Sequence, residues 1–154
     1  MGNIKNGIYP SGIRPAATFF RKWELGWLSG LVALNQGLAM IPITSALRAA
    51  TGIPFLPLTE GGEKAMPHSL IALFKKIALP GPVLYLEAEY FGGVGTQAYA
   101  VFNGGELISG PIVGADAINS ALALVGVNVS EDQDRFGVVG LNKYRDTDQW
   151  VTGS

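Results

Sequence analysis

Apolar positions along the chain change period several times, and each change marks an element. Phe19, Phe20, Trp23 and Trp27 recur at helical spacing, which predicts an amphipathic helix over 16–28 with both tryptophans on its buried face. No residue between Glu24 and Arg48 is charged, so this run is long enough to span a bilayer. Asn35, Gln36 and Gly37 interrupt its centre, where hydrocarbon tolerates polar groups least, and Gly26, Ser29, Gly30 and Pro42 spoil a simple helix. The run is therefore read as two apolar pieces of a soluble core, WLSGLVAL and LAMIPIT, turning at Asn35-Gln36-Gly37. LAMIPIT predicts a buried strand, and Thr44 or Ser45 caps a short helix through Leu47 to Gly52. Residues 52–66, with their prolines and a Gly-Gly pair, predict an irregular and mobile loop.

Pro67 suits a first helical position, and Leu70, Ile71, Phe74 and Ile77 form one apolar face before Pro80-Gly81 stops the helix. The pattern then becomes strand-like, predicting antiparallel strands over 83–91, 96–102 and 106–109. Gly92, Gly93 and Gly95 supply the first connector, and Asn103-Gly104 is a strong hairpin signal. Asp116 caps a helix whose Ile118, Leu122 and Val125 share a face, ended by Gly126. Ser130-Glu131-Asp132-Gln133 reads as a capping box opening a short helix with Phe136. The tail, 140–154, is polar apart from two anchors, Tyr144 and Trp150. Together these elements predict a single α+β domain over 1–154, an antiparallel β-meander at about 83–109 packed with several short helices.

Composition narrows the chemistry. Of 154 residues 48% are hydrophobic, which excludes a disordered chain. Eleven basic and twelve acidic residues leave a net charge of −1, without the basic excess of a nucleic-acid binder. So weak a charge permits self-association into a homo-oligomer. The absence of cysteine removes disulfides, thiolate metal sites and a thiol nucleophile, and one histidine, His68, excludes mechanisms needing two. No secretory pattern is visible, and Asn6 stands where a myristoylation motif wants Ser or Thr, so a cytoplasmic address is expected, off the membrane.

Three motifs carry candidate chemistry. Gly93–Ala98, GVGTQA, matches a dinucleotide fingerprint formally, but that motif needs a following helix, whereas TQAYAVF runs only to the NGG turn. A calcium loop starting at Asp132 fails at Phe136 and Lys143, where oxygen ligands belong. Glu87 and Glu89 remain. Strand alternation puts both on one face, about 6.5–7 Å apart at Cα, with Leu84, Leu86, Ala88 and Tyr90 on the other. A four-residue connector would set Glu89 opposite Ala98 and Glu87 opposite Ala100, leaving a concavity floored by carboxylates. Arg145, within the polar set Tyr144, Arg145, Asp146 and Asp148, is the candidate to close over them, anchored by Tyr144 and Trp150. The plainer reading makes both glutamates part of the solvent face of a half-exposed sheet.

The stretches EAEYFGGVGTQAYAVFNGGEL and GLNKYRDTDQW, with LNQGLAMIPIT, resemble a group of small bacterial proteins that share an acidic strand, a Gly-rich turn and an Arg-x-Thr-x-x-Trp tail. That resemblance implies no activity and transfers no catalytic residues. Two function classes follow. One is a non-enzymatic binding protein, of the immunity or assembly-factor kind, using the acidic sheet face against a protein with a basic surface. The other is a small hydrolase or metal-assisted enzyme centred on Glu87 and Glu89. No cofactor or metal is expected under the first. Exposure of the glutamates favours binding, and burial in a pocket favours chemistry.

Overall fold

The structure, a computed structural model, describes residues 32–77, 82–89, 95–144 and 146–152. The helix expected over 16–28, the connector glycines Gly92 and Gly93, and Arg145 lie outside the described residues. The described chain is α+β, with five helices and two antiparallel sheets. None of its helices is long and apolar enough to cross a membrane.

A small hairpin comes first: β1 (Val32–Ala33) and β2 (Ala39–Met40) pair across the Asn35–Gly37 turn. The turn therefore falls where the polar interruption predicts it, but only Ala39 and Met40 of LAMIPIT form a strand. Gln36 takes a left-handed backbone at φ 58°, and its side chain offsets the strain. Its amide nitrogen donates to the Asn128 carbonyl (2.8 Å), and its amide oxygen accepts from the Asn128 N–H (3.1 Å). Asn35 donates from both backbone and side chain to the Val139 and Val138 carbonyls. These bonds clip the hairpin to a segment about a hundred residues later.

Helix α1 (Ser45–Thr51) starts at Thr44, whose hydroxyl accepts from Leu47 N–H, and ends at Gly52 in the left-handed conformation. After the 53–67 loop comes α2 (His68–Ile77), which buries Leu70, Leu73 and Phe74. The main sheet has the order β3–β4–β5, from β3 (Pro82–Ala88), β4 (Gln97–Asn103) and β5 (Glu106–Gly114). The meander is as expected, with three corrections. Glu87 faces Ala98, and Glu89 N–H donates to Thr96, so the register is shifted by two residues from the expected pairing of Glu89 with Ala98 and Glu87 with Ala100. An even slip keeps every side chain on its face. Asn103 ends β4 opposite Glu106, so the tight turn is Gly104-Gly105, both at positive φ, one residue later than expected. A Cβ at Gly105 would sit 3.0 Å from Lys75 Cα, so that glycine also lets the hairpin rest on α2. Finally, β5 runs five residues past Ser109, pairing Gly114 with Gln97 through two register shifts.

Both faces of this sheet are covered. Leu84, Leu86, Ala88, Tyr99 and Val101 pack with Ile118, Ala121 and Leu122 of helix α3 (Ala117–Leu124) and with Val125, which follows it. Tyr85, Ala98, Ala100 and Phe102 pack with α1, α2 and the loop residues Ile53, Leu58 and Met66. Asp116 stands at the N-terminus of α3 without capping it; Gln97 of β4 accepts the Ile118 N–H instead (2.9 Å), and Asp116 accepts from Asn119. Ser130 and Gln133 do bond each other, but they close a turn, and helix α4 (Arg135–Val138) is capped by Asp134. The capping box expected at 130–133 therefore opens no helix.

Candidate functional site

Glu87 is the residue that the fold treats most unusually. It is 2% exposed, a buried carboxyl on the α2 side of β3. Alternation along β3 puts Tyr85 on the same face, and the Tyr85 hydroxyl donates to Glu87 Oε2 at 2.8 Å. Phe74 of α2 holds the tyrosine ring edge-on at 6.3 Å and stacks flat on Phe102 at 4.1 Å, so packing fixes the direction of the phenol.

The other donors come from the 53–67 loop. Leu56 O accepts from Glu60 and Gly61 N–H, and Pro57 O accepts from Glu63 N–H, closing the loop into a compact turn. That geometry aims the first amides of the turn outward. Leu58 N–H is shared between Oε2 (3.1 Å) and Oε1 (3.2 Å), Thr59 N–H donates to Oε1 (2.9 Å), and Thr59 Oγ1 lies 2.9 Å from the same oxygen. Glu87 thus caps a loop turn as an N-cap residue caps a helix, though it comes from a strand 28 residues later. The loop is irregular, as its glycines and prolines predict, but Leu58, Met66 and Pro57 are buried and its centre is pinned to the sheet.

This arrangement overturns the solvent-face reading of Glu87. The concavity expected above the facing alanines is occupied: Leu58 packs in one cluster with Ala98 and Ala100. Burial pushes the Tyr85 hydroxyl well above the ordinary tyrosine range, helped by the Glu87 charge and hydrogen bond and partly opposed by Arg48. The phenol therefore keeps its proton at neutral pH and donates it to the Glu87 carboxylate as a hydrogen bond. Glu89 is half-buried at the end of the strand.

The remaining candidates belong to the tail. Tyr144 meets Trp150 edge-to-face at 5.1 Å, with the Lys143 ammonium 5.3 Å from its ring. Asp146 accepts from Asp148 N–H, and Gln149 Oε1 accepts from Asp146 N–H, a reciprocal cap on helix α5 (Thr147–Thr152). Asp148 then reaches the start of α1, accepting from Ser45 N–H at 2.7 Å and from the Ser45 hydroxyl. Hydrogen bonding to Ser45, from side chain and then backbone, lowers the Asp148 pKa. Tyr144 and Asp146 are thus parts of a tail clasp. The sequence reading passed over Ser45–Asp148 and Tyr85–Glu87–Thr59. Alternation alone could have paired Tyr85 with Glu87; nothing local pairs Thr59 with it.

The dinucleotide reading fails at Gln97, where a strand begins in place of the helix that would hold a pyrophosphate. Glu131, Asp132, Gln133 and Asp134 line a wide depression of about 580 Å³ with Gly137 and Val138. Among the described residues no group of three His, Cys, Asp or Glu is placed to hold a metal ion.

One surface stands apart. Among the described strands β5 is an edge strand, and it exposes Leu107 (37%), Ile108 (57%), Ile112 (42%) and Val113 (49%) with Glu106 as its single charge. Long apolar edges are templates for association unless they are covered. Comparison with family models, curated proteins and solved structures finds no match to the chain.

Proposed function

We propose that this chain is a non-enzymatic interaction protein whose contact surface is the β5 edge. The observation that carries the reading is the run of four exposed aliphatic side chains, Leu107 and Val113 on the α2 face with Ile112 on the α3 face, along one strand whose outer edge no described strand covers. A monomeric surface scatters such residues singly; concentrated, they mark contact sites. The acidic residue that suggested chemistry supports the same reading from the other side, because the Glu87 oxygens are taken up by loop donors and by Tyr85. The surface on offer is therefore apolar, and the basic partner expected for an acidic sheet face is replaced by one with an apolar face.

Site-specific photocrosslinking in the native host tests this. A photoreactive residue at Ile108 should give a discrete adduct under conditions where the same residue at exposed Glu131 gives none. Absence of any adduct from positions 107, 108, 112 and 113, or the same adducts from 131, would refute the proposal.

A further inference from the structure

The β5 edge has a mirror pattern. Leu107 and Ile108 lie on one side of Gly110, Ile112 and Val113 on the other, with Ser109 and Pro111 next to the centre. We infer that the occupant of this edge is a second copy of the chain, laid antiparallel across a two-fold axis near Gly110; the inference rests on the reading of β5 as the contact surface. A two-fold contact must be self-complementary, each patch meeting itself. Antiparallel apposition about Gly110 brings Ile108 to Ile112 of the partner copy and Leu107 to Val113 of the partner copy, and the reverse. Apolar meets apolar at every such position.

Charge selects the same arrangement. A parallel alignment would set the two Glu106 carboxylates side by side, whereas the antiparallel one puts them at opposite ends. The Gly104-Gly105 turn lies against exposed Lys75, whose Cα is 3.0 Å from where a Gly105 Cβ would stand. The apposition carries this turn alongside Ala115 and Asp116 of the partner copy, and Asp116 is exposed as well. A Lys75–Asp116 pair therefore flanks each end of the apolar centre, twice by symmetry. A net charge of −1 on each chain adds almost no repulsion. The two register shifts bend β5 and Pro111 has no N–H, so the contact is made mainly by side chains and not by an unbroken backbone ladder.

Sedimentation equilibrium of the purified full chain tests this, from about 1 to about 200 μM. The expected result is a monomer–dimer equilibrium in which Ile108→Lys, Lys75→Glu and Asp116→Lys each weaken association roughly tenfold or more, while Lys75→Glu with Asp116→Lys together recover most of the loss. Circular dichroism melts check that each variant folds, and Ile112→Lys, at another exposed position, replaces Ile108→Lys if that one does not. A wild-type chain that stays monomeric throughout, or a dimer indifferent to these substitutions, overturns the inference. If the purified chain is monomeric but Ile108 crosslinks in cells to a different protein, only the second-copy inference falls. If Ile108 crosslinks to nothing as well, the interaction reading falls with it.

Discussion

Replacing Glu87 by glutamine keeps the size of the side chain and turns one acceptor oxygen into a donor amide. Leu58 N–H, Thr59 N–H and the Tyr85 hydroxyl all point at those two oxygens, so one of them would face a donor. A buried polar group left without its partner costs about 1–3 kcal/mol, and Glu87→Gln is expected to lose that much in urea unfolding. Glu87→Leu should lose more, since it strands both backbone amides. In hydrogen exchange, Leu58 and Thr59 should then be the amides that speed up most. Unchanged stability of Glu87→Gln would remove the structural role given to this carboxylate. At this scale alternation read the face of Glu87 correctly from β3 alone. Its burial was not legible, because the donors that make burial tolerable come from a loop 28 residues away, whose sequence advertises only irregularity.

Among the elements, the tail helix α5 is tied to the start of α1 by a long-range contact through Asp148. Hydrogen bonds from Ser45 hold the folded Asp148 carboxyl below the ordinary aspartate range. A carboxyl lowered in the folded state contributes stability that is complete above the unfolded pKa and is lost as pH falls through the folded one. Wild type should therefore lose stability below about pH 4 more steeply than Asp148→Asn or Ser45→Ala, with the curves parallel above about pH 5. Urea midpoints across that range measure it, and identical acid limbs would show that the clasp contributes nothing. Two similar tetrapeptides behave differently here. Asp146-Thr147-Asp148-Gln149 caps α5 reciprocally, while Ser130-Glu131-Asp132-Gln133 makes the side-chain contact but closes only a turn, and the short helix with Phe136 starts at Arg135 under Asp134. A capping box states that its own four residues can close; whether a helix continues depends on what packs beyond it, and Asp134 is the residue in position for Phe136 and the helix α4.

For the whole molecule the governing feature is that β4 serves two cores. Tyr99 and Val101 face α3, while Ala98, Ala100 and Phe102 face α2 and the 53–67 loop. Damage on either side should therefore reach the other through the strand they share. Leu122→Ala and Phe102→Ala each remove a fully buried side chain and should cost about 2–5 kcal/mol. Each should still unfold in one transition with coincident near- and far-UV circular dichroism. Two separated transitions in either variant would mean that the faces fold independently.

Taken alone, the sequence determined the local features: the meander, the interrupted apolar run, a cap at Thr44 or Ser45, the Gly126 stop and the polar turn at 35–37. These follow from periodicity and from residues whose backbone preferences act within a few positions, and such signals survive without knowledge of the rest of the chain. The tertiary structure decided which polar groups are satisfied and which apolar ones are left outside. Gln36 meets Asn128, Asp148 meets Ser45, and Glu87 meets Leu58 and Thr59, across separations of 92, 103 and about 28 residues. Hydrogen-bond partners and burial are properties of position in space. A glutamate on a strand and an isoleucine on a strand carry no local mark of whether chain or solvent lies above them, so the buried Glu87 and the exposed Ile108 emerge only when the described helices and loops cover the sheet and no described strand pairs beyond β5.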